Sequence, residues 1–134
     1  ICTGTGSAPM RAFTMQRQRS GATAQMTMFF GARTPDSLPY FGPLKKVPEA
    51  QMKQHLVFSR TGDREYVQDR MIAEEEAVAD LLADENTYIY ICGLKGMEEG
   101  VERAMTSIAE SIGQQWTALR DVMREEGRYH VETY

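Results

Sequence analysis

Thiols are scarce in this 134-residue chain. Cys2 and Cys92 are its only cysteines, and neither belongs to a C-x-x-C pair. The two histidines, His55 and His130, show no metal-ligand spacing, so no metal site is expected. Two lone cysteines suit a reducing compartment, and a cytoplasmic protein is the expectation. Basic excess is missing too. Fifteen Lys and Arg stand against 19 Asp and Glu, and a net charge of −4 argues against a nucleic-acid surface. No apolar run approaches the length of a membrane span, so no membrane partner is expected. The G-x-S-x-G elbow is absent, which speaks against an α/β hydrolase. Repeats and low-complexity tracts are absent as well. The apolar fraction of 42% is enough for one core, and one domain is the natural reading of this length.

What is present centres on Thr87-Tyr88-Ile89-Tyr90-Ile91-Cys92-Gly93-Leu94-Lys95-Gly96. A β-branched and aromatic run ending at Gly reads as a strand buried on both faces, as in a parallel sheet. After Gly96 the period changes. Met97, Val101, Met105, Ile108 and Ile112 recur at helical spacing. Ligands of open α/β sheets bind beyond the carboxyl ends of the strands, so Cys92 is expected at a crevice.

Taken in order, Thr3-Gly4-Thr5-Gly6-Ser7-Ala8-Pro9 forms a Gly-rich turn at the start of a helix, which Ser20-Gly21 ends. Backbone N–H groups at such a start attract phosphate. Pro9 occupies the third Gly position of G-x-G-x-x-G, so the ordinary dinucleotide fingerprint is not met. Gln25 to Gly31 is the second strand. Ala32-Arg33 follows it, where an NAD-binding fold offers a carboxylate to the ribose. Arg33 reads equally as a phosphate contact or a solvated loop residue. Leu38 to Pro48, with three prolines, reads as a short helix or loop. Gln54 to Ser59 is the third strand, and Ser59, Arg60, Arg64 and Tyr66 crowd its end. Guanidinium forks bind phosphate and an exposed Tyr stacks on a base. Taken alone the segment also reads as a charged loop. One helix is expected over Val67 to Leu82, with Glu74-Glu75-Glu76 on its wet side. A last helix carries Trp116 as a core residue, and Tyr129 to Tyr134 alternates as a strand. The order predicts an α/β fold, an open five-stranded parallel sheet with helices on both faces. Ile1 begins at the end of a strand, which suggests a piece of a longer polypeptide.

These motifs together resemble the NADP-binding domain of the ferredoxin–NADP⁺ reductase superfamily, over essentially the whole chain. The resemblance implies strand order 3-2-1-4-5 and one NADP(H)-binding domain, residues 1–134, whose FAD domain lies elsewhere in the polypeptide. It casts Thr3, Gly4, Thr5, Gly6, Ala8 and Pro9 as the pyrophosphate turn. Ser59, Arg60, Arg64, Tyr66 and Gln68, with Arg33, become the 2′-phosphate and adenine site. Gly93, Leu94 and Met97 line the nicotinamide end. Cys92, Glu132 and Tyr134 become the residues beside the reacting rings. Two departures from the superfamily pattern stand out: Arg64 replaces a usual Lys, and the loop from Arg60 to Tyr66 is short. The carboxy-terminal Tyr is similar to plant-type reductases, whereas Gly31-Ala32-Arg33 is similar to diflavin reductases. Their combination most resembles the reductase component of bacterial benzoyl-CoA epoxidases. The implied activity is electron transfer from NADPH through FAD to an iron–sulfur or ferredoxin-type acceptor, with an oxygenase as a further partner. The alternatives are a nucleotide-binding or interaction module without redox chemistry, or a domain of the diflavin-reductase type.

Overall fold

The computed structural model describes residues 1–134. Five strands build its sheet: β1 (Cys2–Thr3), β2 (Met26–Ala32), β3 (Met52–Phe58), β4 (Ile89–Gly93) and β5 (Tyr129–Thr133). Every pairing is parallel, and the order is β3-β2-β1-β4-β5. This is the expected arrangement. The first strand in sequence is central, and the order reverses beside it, where α/β sheets open a crevice.

Six helices cover the sheet: α1 (Ser7–Ser20), α2 (Phe41–Leu44), α3 (Val67–Ala73), α4 (Glu75–Ala83), α5 (Lys95–Ser111) and α6 (Trp116–Glu125). Strand side chains alternate between two cores, as the period of two requires. Cys2, Met28, Phe30 and Met52 pack with Met10 of α1 and Leu44 of α2. Phe29, Val57, Ile89, Ile91 and Tyr129 pack with α3 to α6, around Met71, Val101, Ile108 and Trp116. Helix α1 carries Pro9 in its first turn and stops at Gly21, left-handed at φ 70°, where the sequence puts them.

One element differs. The helix expected over Val67 to Leu82 is two helices, broken at Glu74 with φ −101° and ψ 29°. A straight helix burying Val67 and Met71 would carry residue 74, two turns on, into the same core. Burying an unpaired carboxylate costs several kcal/mol, roughly, and the chain breaks instead. Glu75 and Glu76 then face water as expected, whereas Glu74 is half-buried, 3.8 Å from the Nδ1 of buried His55. Phe29 stacks on that imidazole at 4.6 Å, and burial lowers the pKa of His55 against the opposing pull of Glu74.

Candidate functional site

The candidate residues gather at the carboxyl ends of the strands. Thr3 leaves β1 extended, and Gly4–Gly6 forms a 3₁₀ turn that runs directly into α1. No side chain caps this continuous turn and helix at Thr3, so its amino end, at Gly4, is open to an anion. The turn lies against the end of β4. At Gly6 a Cβ would overlap the Cys92 carbonyl. At Gly93, whose φ is +150°, a Cβ would strike the Thr3 hydroxyl. That hydroxyl accepts a hydrogen bond from Leu94 N at 3.2 Å. Ser7 is fully buried and ties the turn to the next loop by donating to Pro39 O at 2.7 Å.

Beyond β2 and β3 the ladder continues. Ser59 N donates to Ala32 O and Arg60 N to Arg33 O, each at 3.0 Å, which sets Arg33 and Arg60 side by side. Glu65 N donates back to Phe58 O at 3.0 Å and closes the loop. Arg64 holds φ +51°, a left-handed conformation uncommon for a residue with a side chain. Arg33, Arg60 and Arg64 are exposed, and none has a carboxylate within ion-pair distance. Glu65, one of the two acids flanking Arg64 in sequence, is engaged by both Nε and Nη2 of Arg70 at 2.7 and 2.8 Å. Tyr66 is 57% exposed beside them. Its N–H caps α3 by donating to the Asp69 carboxylate at 2.9 Å.

At the other end, Cys92 pairs in register with Glu132 across β4 and β5, and with Cys2 across β1. Burial and then Glu132 raise the Cys92 pKa, so this thiol is neutral near pH 7. Burial pushes Cys2 up to about 11. Neither is a nucleophile by this geometry. An open depression of about 580 Å³ runs past Cys92 and Glu132, bordered by Pro9, Phe13, Tyr90 and His130. A second cavity, about 380 Å³ and mostly apolar, adjoins it at Met10, Phe13 and Tyr90 and extends around Ile1, Met28 and Tyr88. None of the candidate residues lines it.

Tyr134 does not fray. Its N–H donates to Gly93 O at 3.0 Å, and its carbonyl accepts from Lys95 N at 3.1 Å. Its hydroxyl meets the Thr5 hydroxyl at 2.7 Å. Two candidates are engaged by packing. Met97, in the first turn of α5, is buried in the core, and Gln68 packs its amide against Gly100 of α5. Two contributors escaped the sequence reading. Glu98 accepts a hydrogen bond from Thr133 at 2.6 Å and so fixes the end of β5. His130 stacks on Tyr90 at 5.0 Å in the floor of the depression. Alternation along β5 places His130, Glu132 and Tyr134 on one face, which was the available signal.

An open helix start, three free guanidinium groups and an exposed aromatic at the ends of a parallel sheet define a nucleotide-binding domain. The family profile described as oxidoreductase NAD-binding domain matches residues 1–103, and the chain belongs to that family. Over its whole length it is 33% identical to ferredoxin–NADP reductase of Synechocystis sp. and 34% identical to that of Thermosynechococcus vestitus. It spans 36% and 38% of those relatives' length. Ferredoxin–NADP⁺ reductase from Plasmodium falciparum superimposes on the entire chain with a TM-score of 0.80 at 27% identity. There the match covers 50% of the solved chain.

Proposed function

We propose that residues 1–134 form the NADP(H)-binding domain of a flavin-dependent oxidoreductase of the ferredoxin–NADP⁺ reductase kind. The observation that carries this is the trio Arg33, Arg60 and Arg64, free of any carboxylate, beside a β2 end that offers no acid to a ribose. Buried or paired arginines would signal structure. Free ones at a strand end fit a 2′-phosphate. The donor set suits NADP(H) at both ends: guanidiniums for the 2′-phosphate, and uncapped amides with no Cβ in the way for the pyrophosphate.

When bound, NADP(H) and FAD supply hydride transfer between nicotinamide C4 and flavin N5. The chain's own work is positioning. Arg60 and Arg64 hold the adenine end, Tyr66 stacks on the base, and Gly4 to Gly6 seat the pyrophosphate. Cys92, a neutral polarizable thiol, is a flat support for the nicotinamide ring. Glu132, exposed beside it, sets the charge near the reacting atoms. Tyr134 covers the vacant nicotinamide place. The FAD domain belongs to the same polypeptide in this reading, and electrons pass on to an iron–sulfur or ferredoxin-type acceptor. A narrower reading, supply of an oxygenase of the benzoyl-CoA epoxidase type, rests on Gly31-Ala32-Arg33 occurring with Tyr134 in one chain.

The test is the affinity of wild type and Arg60→Ala for NADP⁺ and NAD⁺. Each charge-assisted contact contributes about 1.5–3 kcal/mol, so NADP⁺ weakens about tenfold or more while NAD⁺ is unmoved. Equal losses for both nucleotides would contradict the assignment.

A further inference from the structure

Charge is sorted around the loop from Arg60 to Tyr66. Arg33, Arg60 and Arg64 make no ion pair, whereas Arg70 does. Arg70 lies one turn into α3, and its Nε and Nη2 reach back to the two oxygens of Glu65 at 2.7 and 2.8 Å. A guanidinium fork on a carboxylate is a strong and well-aimed pairing. Glu65 stands one residue from Arg64. Its N–H donates to Phe58 O at 3.0 Å, which returns it to the strand end that Arg60 leaves. The Glu65 side chain is only 23% exposed, so its charge is weakly screened by water. Two other acids stand nearby. Asp69 accepts from Tyr66 N–H at 2.9 Å and is engaged in the helix cap. Asp63 is exposed in the loop, where water screens it. Glu65 is therefore the acid best placed to compete with a phosphate.

We propose that Arg70 is a positioning residue that holds the Glu65 carboxylate away from Arg60 and Arg64 and so preserves their grip on a 2′-phosphate. This rests on the NADP(H) assignment above. Arg70 acts only through Glu65. With Arg70 in place the carboxylate is paired and pinned, and the neighbouring guanidiniums keep their donors for phosphate oxygens. Without it, the released carboxylate has the unpaired guanidinium of Arg64 next to it in the chain. An ion pair formed there has to break before a phosphate can bind. NADP(H) then loses affinity, while NAD(H), which has no 2′-phosphate, loses none. The pair tunes selectivity from outside the site.

The experiment is calorimetric titration of the 134-residue chain with NADP⁺, NAD⁺ and adenosine 2′-monophosphate. The variants are Arg70→Gln, Glu65→Gln, Arg70→Gln with Glu65→Gln, and Arg70→Gln with Asp63→Asn. All four leave Val67 and Met71, which seat α3 in the core, untouched. Arg70→Gln should weaken NADP⁺ and adenosine 2′-monophosphate by roughly 2–5-fold, the scale of a partly exposed ion pair that must break. NAD⁺ should not change. Glu65→Gln should match wild type. Arg70→Gln with Glu65→Gln should return to wild-type affinity, because no carboxylate is left to compete. Arg70→Gln with Asp63→Asn restores the same net charge and should stay weak. A pair that merely braces the loop would leave Glu65→Gln and its double variant weak, and that would overturn the proposal. Equal rescue by Asp63→Asn, an equal loss for NAD⁺, or no loss in Arg70→Gln would overturn it too. Wild type that ignores adenosine 2′-monophosphate would sink the nucleotide assignment itself, and this proposal with it.

Discussion

Among single residues, buried His55 sets a pH dependence. Burial lowers its pKa below the ordinary 6.5, against the opposing pull of Glu74, 3.8 Å away. A lowered pKa on a cation means the unfolded chain binds more protons than the folded one across the window up to 6.5. The penalty weighs fully on the fold below the lowered value, and stability rises with pH through the window. Urea unfolding between about pH 5 and 7.5 should show the rise, and His55→Gln should flatten it. A variant with the same slope would assign the effect elsewhere.

Among elements, α5, α6 and β5 meet at one carboxylate. Glu102 accepts from Trp116 Nε1 at 2.7 Å, Arg120 at 2.8 Å and the Tyr129 hydroxyl at 2.8 Å. Burial and the bond to Glu102 raise the Tyr129 pKa, so its phenol donates throughout the neutral range. Glu102→Ala leaves the Trp116 and Tyr129 donors without partners and should lower unfolding stability by about 2–4 kcal/mol. A loss under about 0.5 kcal/mol would mean water replaces the carboxylate at no cost. Elements like these were legible where period and punctuation agree. Strand β4 ends at Gly93, α1 ends at Gly21, and Trp116 is in the core. The break at Glu74 was not legible. It comes from where the third buried position of a straight helix would fall, which depends on the sheet beneath. The candidate site divides the same way. Each turn could be read locally, but the meeting of Thr5 with Tyr134 joins residues 129 apart. No pattern within one segment encodes it. Met97 fits the helix period and the nicotinamide motif equally well, and only the packing places it in the core.

Across the whole molecule the sheet separates charge. Residues 1–66 carry nine Lys and Arg against four Asp and Glu, whereas residues 67–134 carry six against fifteen. Helices α1 and α2 cover one face of the sheet and α3 to α6 the other, so sequence halves become opposite faces. Arg11, Arg17 and Arg19 give α1 three cations and no acid. Despite its net charge of −4, the chain should bind a sulfonate cation exchanger at pH 7 in low salt. Roughly 0.15 M salt should release it, since the screening length is then about 8 Å. Replacing the three α1 arginines with Gln should abolish retention, and a triple variant retained as well as wild type would contradict the segregation. The two turns at the heart of the candidate site raise a mechanical matter. Where Gly6 rests on Cys92, and Gly93 on Thr3, there is no slack to take up. They mesh like gear teeth, not like parts on a hinge. A push at Gly6 meets the backbone of Cys92 and Gly93 directly, so the two ends of a bound molecule would grip a single rigid piece.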